Sequence, residues 1–270
     1  MREFRDVGGG TVVDSTGMFH GRDLRLYEAL SRATGVHIVA STGMGPEELL
    51  GGYFLTPQTN PPTPWPAEKF ADLFATEVTQ GMVIPRLERG AAAGLITTTA
   101  TRAGMTPTDE SLARGAAGAA RDTGAPLSFR FGADPLGELD IVLQEQLAAD
   151  RVLVGGLDRA DAVEAGAALG VAARGAYVGI DHVGHEGGEH VDDERRARLV
   201  LDLLEAGHAD RIVLASNTIG VAKGVPDVAV ALTHVLTRFV PRLTSAGLAD
   251  ADITRLLVAN SHDFLTVRTA

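Results

Sequence analysis

The chain has 270 residues, a formal net charge of -11 and no cysteine. Its acidity argues against nucleic acid as a partner, because binding to a phosphate backbone needs clustered lysine and arginine. The lack of cysteine excludes disulfides, thiolate metal sites and a cysteine nucleophile, and agrees with a reducing compartment. The first residues are charged, and no apolar run approaches the roughly 20 residues of a membrane span. We therefore expect a cytoplasmic protein, with one domain over residues 1–270 and no membrane partner.

Short apolar runs alternate with amphipathic segments along the chain, which is the pattern of βα units around a parallel sheet. Seven runs predict strands at residues 11–15, 36–41, 95–99, 126–131, 152–156, 177–181 and 211–216. Helices are predicted at residues 23–33, 67–80, 108–122, 136–149, 159–173, 193–206 and 228–243. Residues 2–7 look like the end of a helix rather than a strand. The pattern predicts a TIM-type (β/α) barrel with seven recognisable strands, in which the first βα unit is missing.

The longest predicted connection, residues 43–66, carries a cluster of prolines and aromatic residues and follows the carboxyl end of a strand. Loops of this length inside a compact domain are often functional. A lid or pocket wall and a surface loop are both open interpretations of it.

Residues 176–190, AYVGIDHVGHEGGEH, hold the densest polar pattern. The apolar run ends in Asp181 and His182, and a barrel strand that delivers a carboxylate and an imidazole at its carboxyl end is typical of an active site. A solvated histidine-rich turn or a buried structural pair is the alternative. A new metal site would draw on side chains that suit zinc, but we do not expect it, because the glycines leave the loop slack; its members would be His182, His185, Glu186, Glu189 and His190.

The last residues of the other strands complete the candidate site, because the carboxyl ends of parallel strands meet at one end of a barrel. They include Thr97, Thr99, Arg130, Asp158, Asn217 and Thr218. A dinuclear hydrolase needs several histidine and carboxylate ligands around two cations. Apart from Asp181 and His182, this set does not supply them.

Several motifs together resemble the phosphotriesterase family of the amidohydrolase superfamily, which has a VDxST…GRD…GVHIVAATG pattern. The matching segments are GGTVVDSTGMFHGRD, GVHIVASTG, AGLITTTAT, RVLVGGLD, YVGIDHVGH, RIVLASNT and VANSHDFL, in the family's order over nearly the whole chain. The resemblance implies a (β/α)8 barrel that holds two divalent cations, commonly zinc, and hydrolyses lactones or organophosphate esters.

The family's metal ligands do not carry over to this sequence. The His-x-His strand would precede residue 1, and the other ligands correspond to Thr97, Arg130, Gly156 and Thr218. Neither lysine, Lys69 or Lys223, is placed to replace the bridging carboxylated lysine. A guanidinium 4 Å from a dication would be repelled by about 4 kcal/mol per unit charge pair at an effective dielectric near 20. We therefore expect no metal and no cofactor.

The family's DHxxH element does carry over, as Asp181, His182 and His185. In the family these residues line the substrate pocket and support proton transfer, so the resemblance implies a cavity for a small molecule. His37 matches a family residue without a catalytic role, and we predict that it lies in the core.

Three functional hypotheses remain open. In the first, a metal-independent enzyme acts on a small carbonyl, lactone or ester compound by hydrolysis, elimination, cyclisation or isomerisation: Arg130 binds an oxyanion and His182, oriented by Asp181, moves the proton. The second is a non-catalytic barrel that binds a small molecule or a partner. The third is a metal-dependent hydrolase completed by another chain. In the first hypothesis the substrate-binding residues are His185, Thr97, Thr99, Asn217, Thr218 and Asp158.

The missing strand also bears on assembly. A seven-stranded parallel sheet that does not close leaves open edges, and open edges pair readily with other chains. We predict a homo-oligomer, a dimer, with residues 1–10 near its interface.

Overall fold

The structure, a computed structural model, describes residues 1–50, 63–84, 88–218 and 229–268. Its main sheet has seven parallel strands, each beside its neighbour in the chain, as βα units require. The strands are β1 (Thr11–Asp14), β2 (His37–Met44), β3 (Leu95–Thr99), β4 (Leu127–Arg130), β5 (Val152–Gly155), β6 (Tyr177–Ile180) and β7 (Ile212–Leu214). All seven predicted strands are present, and the TIM-type (β/α) fold with seven strands is confirmed.

Helices follow most of the strands. They are α1 (Arg2–Asp6), α2 (Leu24–Thr34), α3 (Glu47–Leu50), α4 (Ala67–Thr79), α5 (Pro107–Thr123), α6 (Pro135–Leu143), α7 (Ala160–Glu164), α8 (Ala167–Ala173), α9 (Asp193–Glu205), α10 (Val240–Ser245), α11 (Asp250–Thr254) and α12 (Asn260–Leu265). Wider helical turns at Val235–Phe239 and Arg255–Ala259 precede α10 and α12. Helix α5 begins with a reciprocal cap, in which Thr106 and Asp109 each accept a backbone N–H of the other.

Three predicted helices have different limits in the structure. The helix predicted at residues 136–149 ends at Leu143, and Gln146 then takes a positive φ of 61°. The segment predicted as one helix over residues 159–173 is divided at Gly166, whose φ of 64° is left-handed and interrupts the helical backbone. The helix predicted at residues 228–243 begins at residue 234 in the structure and continues to Ser245; residues 229–233 are not helical, and residue 228 lies outside the described residues. The helix α11–α12 and a short hairpin (Val83–Ile84 with Glu88–Arg89) are additional elements.

Alternate residues of the strands face two different environments. Ile96, Val154 and Val178 belong to the main core between sheet and helices. Leu95, Leu153 and Tyr177 form a separate cluster with Phe264 of α12 on the inner face of the curved sheet. Because side chains alternate along a strand, the residues two and four positions beyond this cluster also point inward, towards the carboxyl ends of the strands.

The outer layer is packed closely where α4 meets α5. Their interface contains the phenylalanines Phe70 and Phe74 and a run of alanines on α5, all fully buried. A Cβ at Gly115 of α5 would lie 2.6 Å from the carbonyl oxygen of Ala67, so only glycine permits this approach. Within the described residues, no helix combines the length and the apolar character that a membrane crossing needs.

Two predictions fall differently. His37, predicted in the core, is exposed at the start of β2, in the part of the strand that pairs with β1 alone; pairing with β3 begins only at Ser41. Most of the long connection at residues 43–66 lies outside the described residues, so its proposed role as a lid or pocket wall stays a prediction.

Candidate functional site

Arg130, Asp181 and His182 lie together at the carboxyl end of the sheet. Arg130 is the last residue of β4, and Asp181 directly follows β6. The Nη2 atom of Arg130 donates to Asp181 Oδ2 at 2.5 Å, and its Nη1 lies 3.1 Å from Nε2 of His182. The other oxygen of Asp181 accepts the backbone N–H of Gly156 at 2.8 Å. The structure thus brings the three side chains proposed as catalytic into direct contact.

Asp158 orients the imidazole of His182. Its Oδ1 lies 2.8 Å from Nδ1 of His182, and its Oδ2 accepts the backbone N–H of the same residue at 2.8 Å. A carboxylate only accepts hydrogen bonds and a guanidinium only donates them. We therefore assign the proton of the neutral ring to Nδ1, which leaves Nε2 as an acceptor facing Arg130. The side chain of Asp158 is 0% exposed, so it lies behind His182 and not at the substrate-contacting position that the sequence suggested.

A buried arginine on α9 completes the surroundings of Asp158. The Nε of Arg196 donates to Asp158 Oδ2 at 2.8 Å, and both side chains are 0% exposed. Burial by itself raises the pKa of Asp158, but the hydrogen bond from His182 and the charge and hydrogen bond of Arg196 outweigh it and lower the pKa. Arg196 was not among the predicted site residues, because it lies on a helix and not at the end of a strand; the signal that could have found it is that it shares a helical stripe with the buried Leu199, Val200 and Leu203.

Three imidazoles converge beside Arg130. The ring of His182 lies 4.4 Å from that of His190 and 5.9 Å from that of His185, and the latter two are 5.5 Å apart. His185 Nε2 lies 2.8 Å from the carbonyl oxygen of Ser216. Burial, and then the neighbouring His182 and His185, lower the pKa of His190. The Nδ1 atom of His190 is buried and has no hydrogen-bond partner among the described residues.

The loop that carries His190 is connected to the segments that follow β3 and β4 and to the first turn of α7. Arg102 donates to Glu189 at 3.0 Å, to Asp161 at 2.8 Å and to the carbonyl oxygen of Gly132 at 3.2 Å. The backbone N–H of Ala160 donates to the carbonyl oxygen of Glu189 at 2.9 Å. The Arg102 guanidinium is also the main reason why the pKa of Glu189 is lowered. These contacts hold His190 over His182.

The remaining proposed substrate contacts lie at strand ends but do not join the Arg130 network. Thr97 and Thr99 share the inward face of β3 with Leu95 and are partly accessible. Thr218 donates its hydroxyl to the carbonyl oxygen of Val230 at 3.2 Å, and Asn217 has a left-handed φ of 39°. Within the part of the chain that the structure describes, none of these four side chains is hydrogen-bonded to Arg130 or His182.

The donor set does not fit a pair of divalent cations. The positions that the sequence resemblance pairs with the family's ligands hold two hydroxyls, a guanidinium and a glycine, namely Thr97, Thr218, Arg130 and Gly156. A Cβ at Gly156 would lie 3.3 Å from Nη1 of Arg130, so the guanidinium occupies the space beside that position.

Among the described residues, one group of acidic and histidine side chains has ligand atoms within 4.8 Å of one another: Asp158, Asp181 and His182. Arg130 donates into this group, and a guanidinium repels a cation. Lys69 lies on α4 with its Nζ 3.4 Å from the ring centroid of Trp65, and Lys223 lies outside the described residues.

Comparison with known proteins identifies the family. The model of the phosphotriesterase family matches residues 1–265. A phosphotriesterase homology protein of Mycobacterium tuberculosis is 28% identical over 96% of this chain and 79% of its own length. The N-acetyltaurine hydrolase of Tetraodon nigroviridis is 25% identical over 98% of this chain and 75% of its own.

A solved structure agrees with these sequence matches. The phosphotriesterase homology protein of Escherichia coli, solved with phosphate in its active site, superposes with a TM-score of 0.81 at 25% identity. The match covers 98% of this chain and 87% of that one. The chain therefore belongs to the phosphotriesterase family.

Proposed function

We propose that this family member hydrolyses a small ester, lactone or related carbonyl compound by acid–base chemistry, without a metal ion. The observation that carries the proposal is the contact between Arg130 and His182 Nε2, 3.1 Å apart, at a position where the family's ligand pattern has a histidine. Relatives named N-acetyltaurine hydrolase and aryldialkylphosphatase support hydrolysis as the class of reaction.

Arg130 supplies positive charge for the developing oxyanion. Its side chain is 28% exposed, and its five N–H donors exceed the two contacts that it makes with Asp181 and His182. A guanidinium aimed at a carbonyl oxygen stabilises the charge that forms there as a nucleophile attacks. Asp181, which is fixed by the N–H of Gly156, holds the guanidinium in place before substrate binds.

His182 moves the proton. When the substrate oxygen takes over the N–H of Arg130, Nε2 of His182 becomes free to accept a proton from water. The water oxygen then bonds to the carbonyl carbon. As the bond from that carbon to the leaving oxygen breaks, Nε2 returns the proton to the leaving oxygen, so atoms and charge balance. Asp158 keeps Nδ1 protonated throughout.

The side chains that we propose to contact substrate are His185, His190, Thr97, Thr99, Asn217 and Thr218.

The test is hydrolysis of a panel of p-nitrophenyl esters and of γ- and δ-lactones after exhaustive chelation. We expect turnover to persist after chelation and to fall by at least about 100-fold in Arg130→Ala and His182→Ala. The turnover rate of Arg130→Lys should lie between those of the wild type and Arg130→Ala, because an ammonium keeps the charge but not the planar fork of the guanidinium. The exposed His262, changed to alanine, is the control and should leave the rate unchanged.

Two results would contradict the proposal. Full activity in both alanine variants would remove Arg130 and His182 from the reaction. Turnover that chelation abolishes and zinc restores would indicate a metal-dependent hydrolase. If no ester or lactone is turned over, a non-catalytic binding role is the better interpretation.

A further inference from the structure

A line of buried contacts runs from His182 to the outside of the barrel. Beyond Asp158, Arg196 donates from Nη1 to Asp193 Oδ1 at 2.8 Å. The second oxygen of Asp193 lies 2.9 Å from Nε2 of His234, which is partly exposed. The polar groups therefore follow one another in the order His182, Asp158, Arg196, Asp193 and His234.

We propose that Arg196 is a positioning residue for His182, and that Asp193 and His234 hold Arg196 in place. The inference deepens the proposed function and rests on it for its kinetic consequence. The Arg196 side chain is 0% exposed, and its hydrogen bonds among the described residues go to Asp158 and Asp193, so it acts through Asp158 and not on substrate.

The charges explain why the position needs arginine. Asp158 and Arg196 are both completely buried, and a buried charge is stable only when it is paired and hydrogen-bonded. The fork of Arg196 separates two carboxylates and uses a different nitrogen for each, which a lysine ammonium cannot reproduce. Without it, two buried carboxylates would lose the cation that they share, and Asp158 would be held, among the described residues, by its contacts with His182 alone.

Asp193 also holds the loop that follows His182. Asp193 lies in the first turn of α9, and its Oδ1 accepts the backbone N–H of Gly184 at 2.9 Å, two residues after His182. Gly184 has a φ of 93°, and a Cβ there would lie 2.9 Å from the ring of His234. The same carboxylate thus holds both Arg196 and the backbone that follows His182.

The experiment compares Arg196→Lys and Arg196→Met with Arg174→Met as the matched control. Arg174 also pairs with an aspartate across two helices, Asp140 at 2.9 Å, but at the surface. The first readout is the Nδ1–H proton resonance of His182 in selectively 15N-histidine-labelled protein, assigned with His182→Gln. The second is ester hydrolysis, with kcat and KM determined separately.

We expect Arg196→Met to shift or broaden the His182 resonance and to lower kcat by about 10–100-fold, with KM within about twofold. Arg196→Lys should fall between Arg196→Met and the wild type. Arg174→Met should leave both readouts unchanged. An unchanged resonance and unchanged kcat in the folded Arg196 variants would overturn the proposal.

Variants of His234 provide a second test if Arg196→Met does not fold. His234→Gln keeps an N–H for Asp193 and should preserve the resonance, whereas His234→Leu should alter it. Identical resonances in these two variants would also overturn the proposal. If the wild type hydrolyses nothing, the proposed function fails, but the resonance comparison still decides whether Arg196 positions His182.

Discussion

Arg130 is the residue that most distinguishes this site. Its guanidinium contacts Asp181 and His182 and lies 3.3 Å from where a Cβ of residue 156 would be. Arginine at 130 and glycine at 156 are therefore compatible, whereas a larger side chain at 156 would displace the guanidinium. Arg130 and Gly156, which both differ from the family pattern, are therefore neighbours in the structure, although 26 positions separate them in the chain.

His190 is expected to contact substrate directly. Its Nδ1 is buried without a partner in the described parts of the chain, and such a group gains a hydrogen bond when a ligand supplies the partner. If the proposed hydrolysis holds, His190→Ala should raise KM about tenfold, the effect of roughly 1.4 kcal/mol of lost interaction. His190→Asn, which keeps a polar atom near the Nδ1 position, should raise KM less than His190→Ala does.

Michaelis constants for the best ester of the panel check this prediction. His208→Ala, at the residue just before the short 3-10 turn Ala209–Arg211, is the control outside the site. Equal KM values for wild type and His190→Ala would show that the free nitrogen does not bind substrate.

At the scale of elements, one ion pair joins α4 to several neighbours. The carboxylate of Glu77 on α4 accepts hydrogen bonds from both Nη atoms of Arg22 at 2.8 Å and from the backbone N–H of Val83 at 3.0 Å. Arg22 also donates to the carbonyl oxygen of Ser41. The side chains are 1% and 7% exposed. Burial alone raises the pKa of Glu77, but the hydrogen bonds, led by Arg22, outweigh it and lower the pKa.

Glu77→Gln should lower the free energy of unfolding by about 3–5 kcal/mol at neutral pH, because it leaves a buried guanidinium without its counter-charge. The pH dependence follows from the lowered pKa: the carboxylate contributes stability above its ordinary pKa near 4.5, and this contribution is lost as pH falls through the lower folded value.

Denaturant unfolding of wild type and variant from neutral pH down to acid checks both parts. The difference between the two proteins should shrink below about pH 4.5. Glu28→Gln, which removes an exposed pair with Arg32, should cost less than about 1 kcal/mol. A constant difference at all pH values would contradict the assigned role of Glu77.

At the scale of the molecule, the open sheet is the main feature. Each of β1 and β7 has a single neighbour in the described sheet, so each presents one unpaired edge. Val13 on β1 is also exposed. Because unpaired edges associate with other strands, the dimer that the sequence suggested remains our prediction.

Light scattering coupled to size exclusion measures the mass at micromolar concentration. We expect a dimer for the wild type and a shift towards monomer for Val13→Lys, because a lysine on an edge strand opposes pairing. Leu169→Lys, at an exposed position of α8, is the control. A strictly monomeric wild type would exclude the prediction.

The order of strands and helices, the family and the positions of Asp181 and His182 followed from the sequence by itself, because apolar periodicity and residue order along one segment are local properties. Tertiary structure alone decided the partners of His182: Asp158 supports its ring from behind, Arg196 reaches Asp158 from a helix 38 residues further along the chain, and the ring of His190 lies 4.4 Å away, tilted by 34°. Such contacts depend on how strands curve and loops fold back. The strength of a buried charge pair depends on the distance between the two charged groups. A pattern of residue types along the chain does not give that distance.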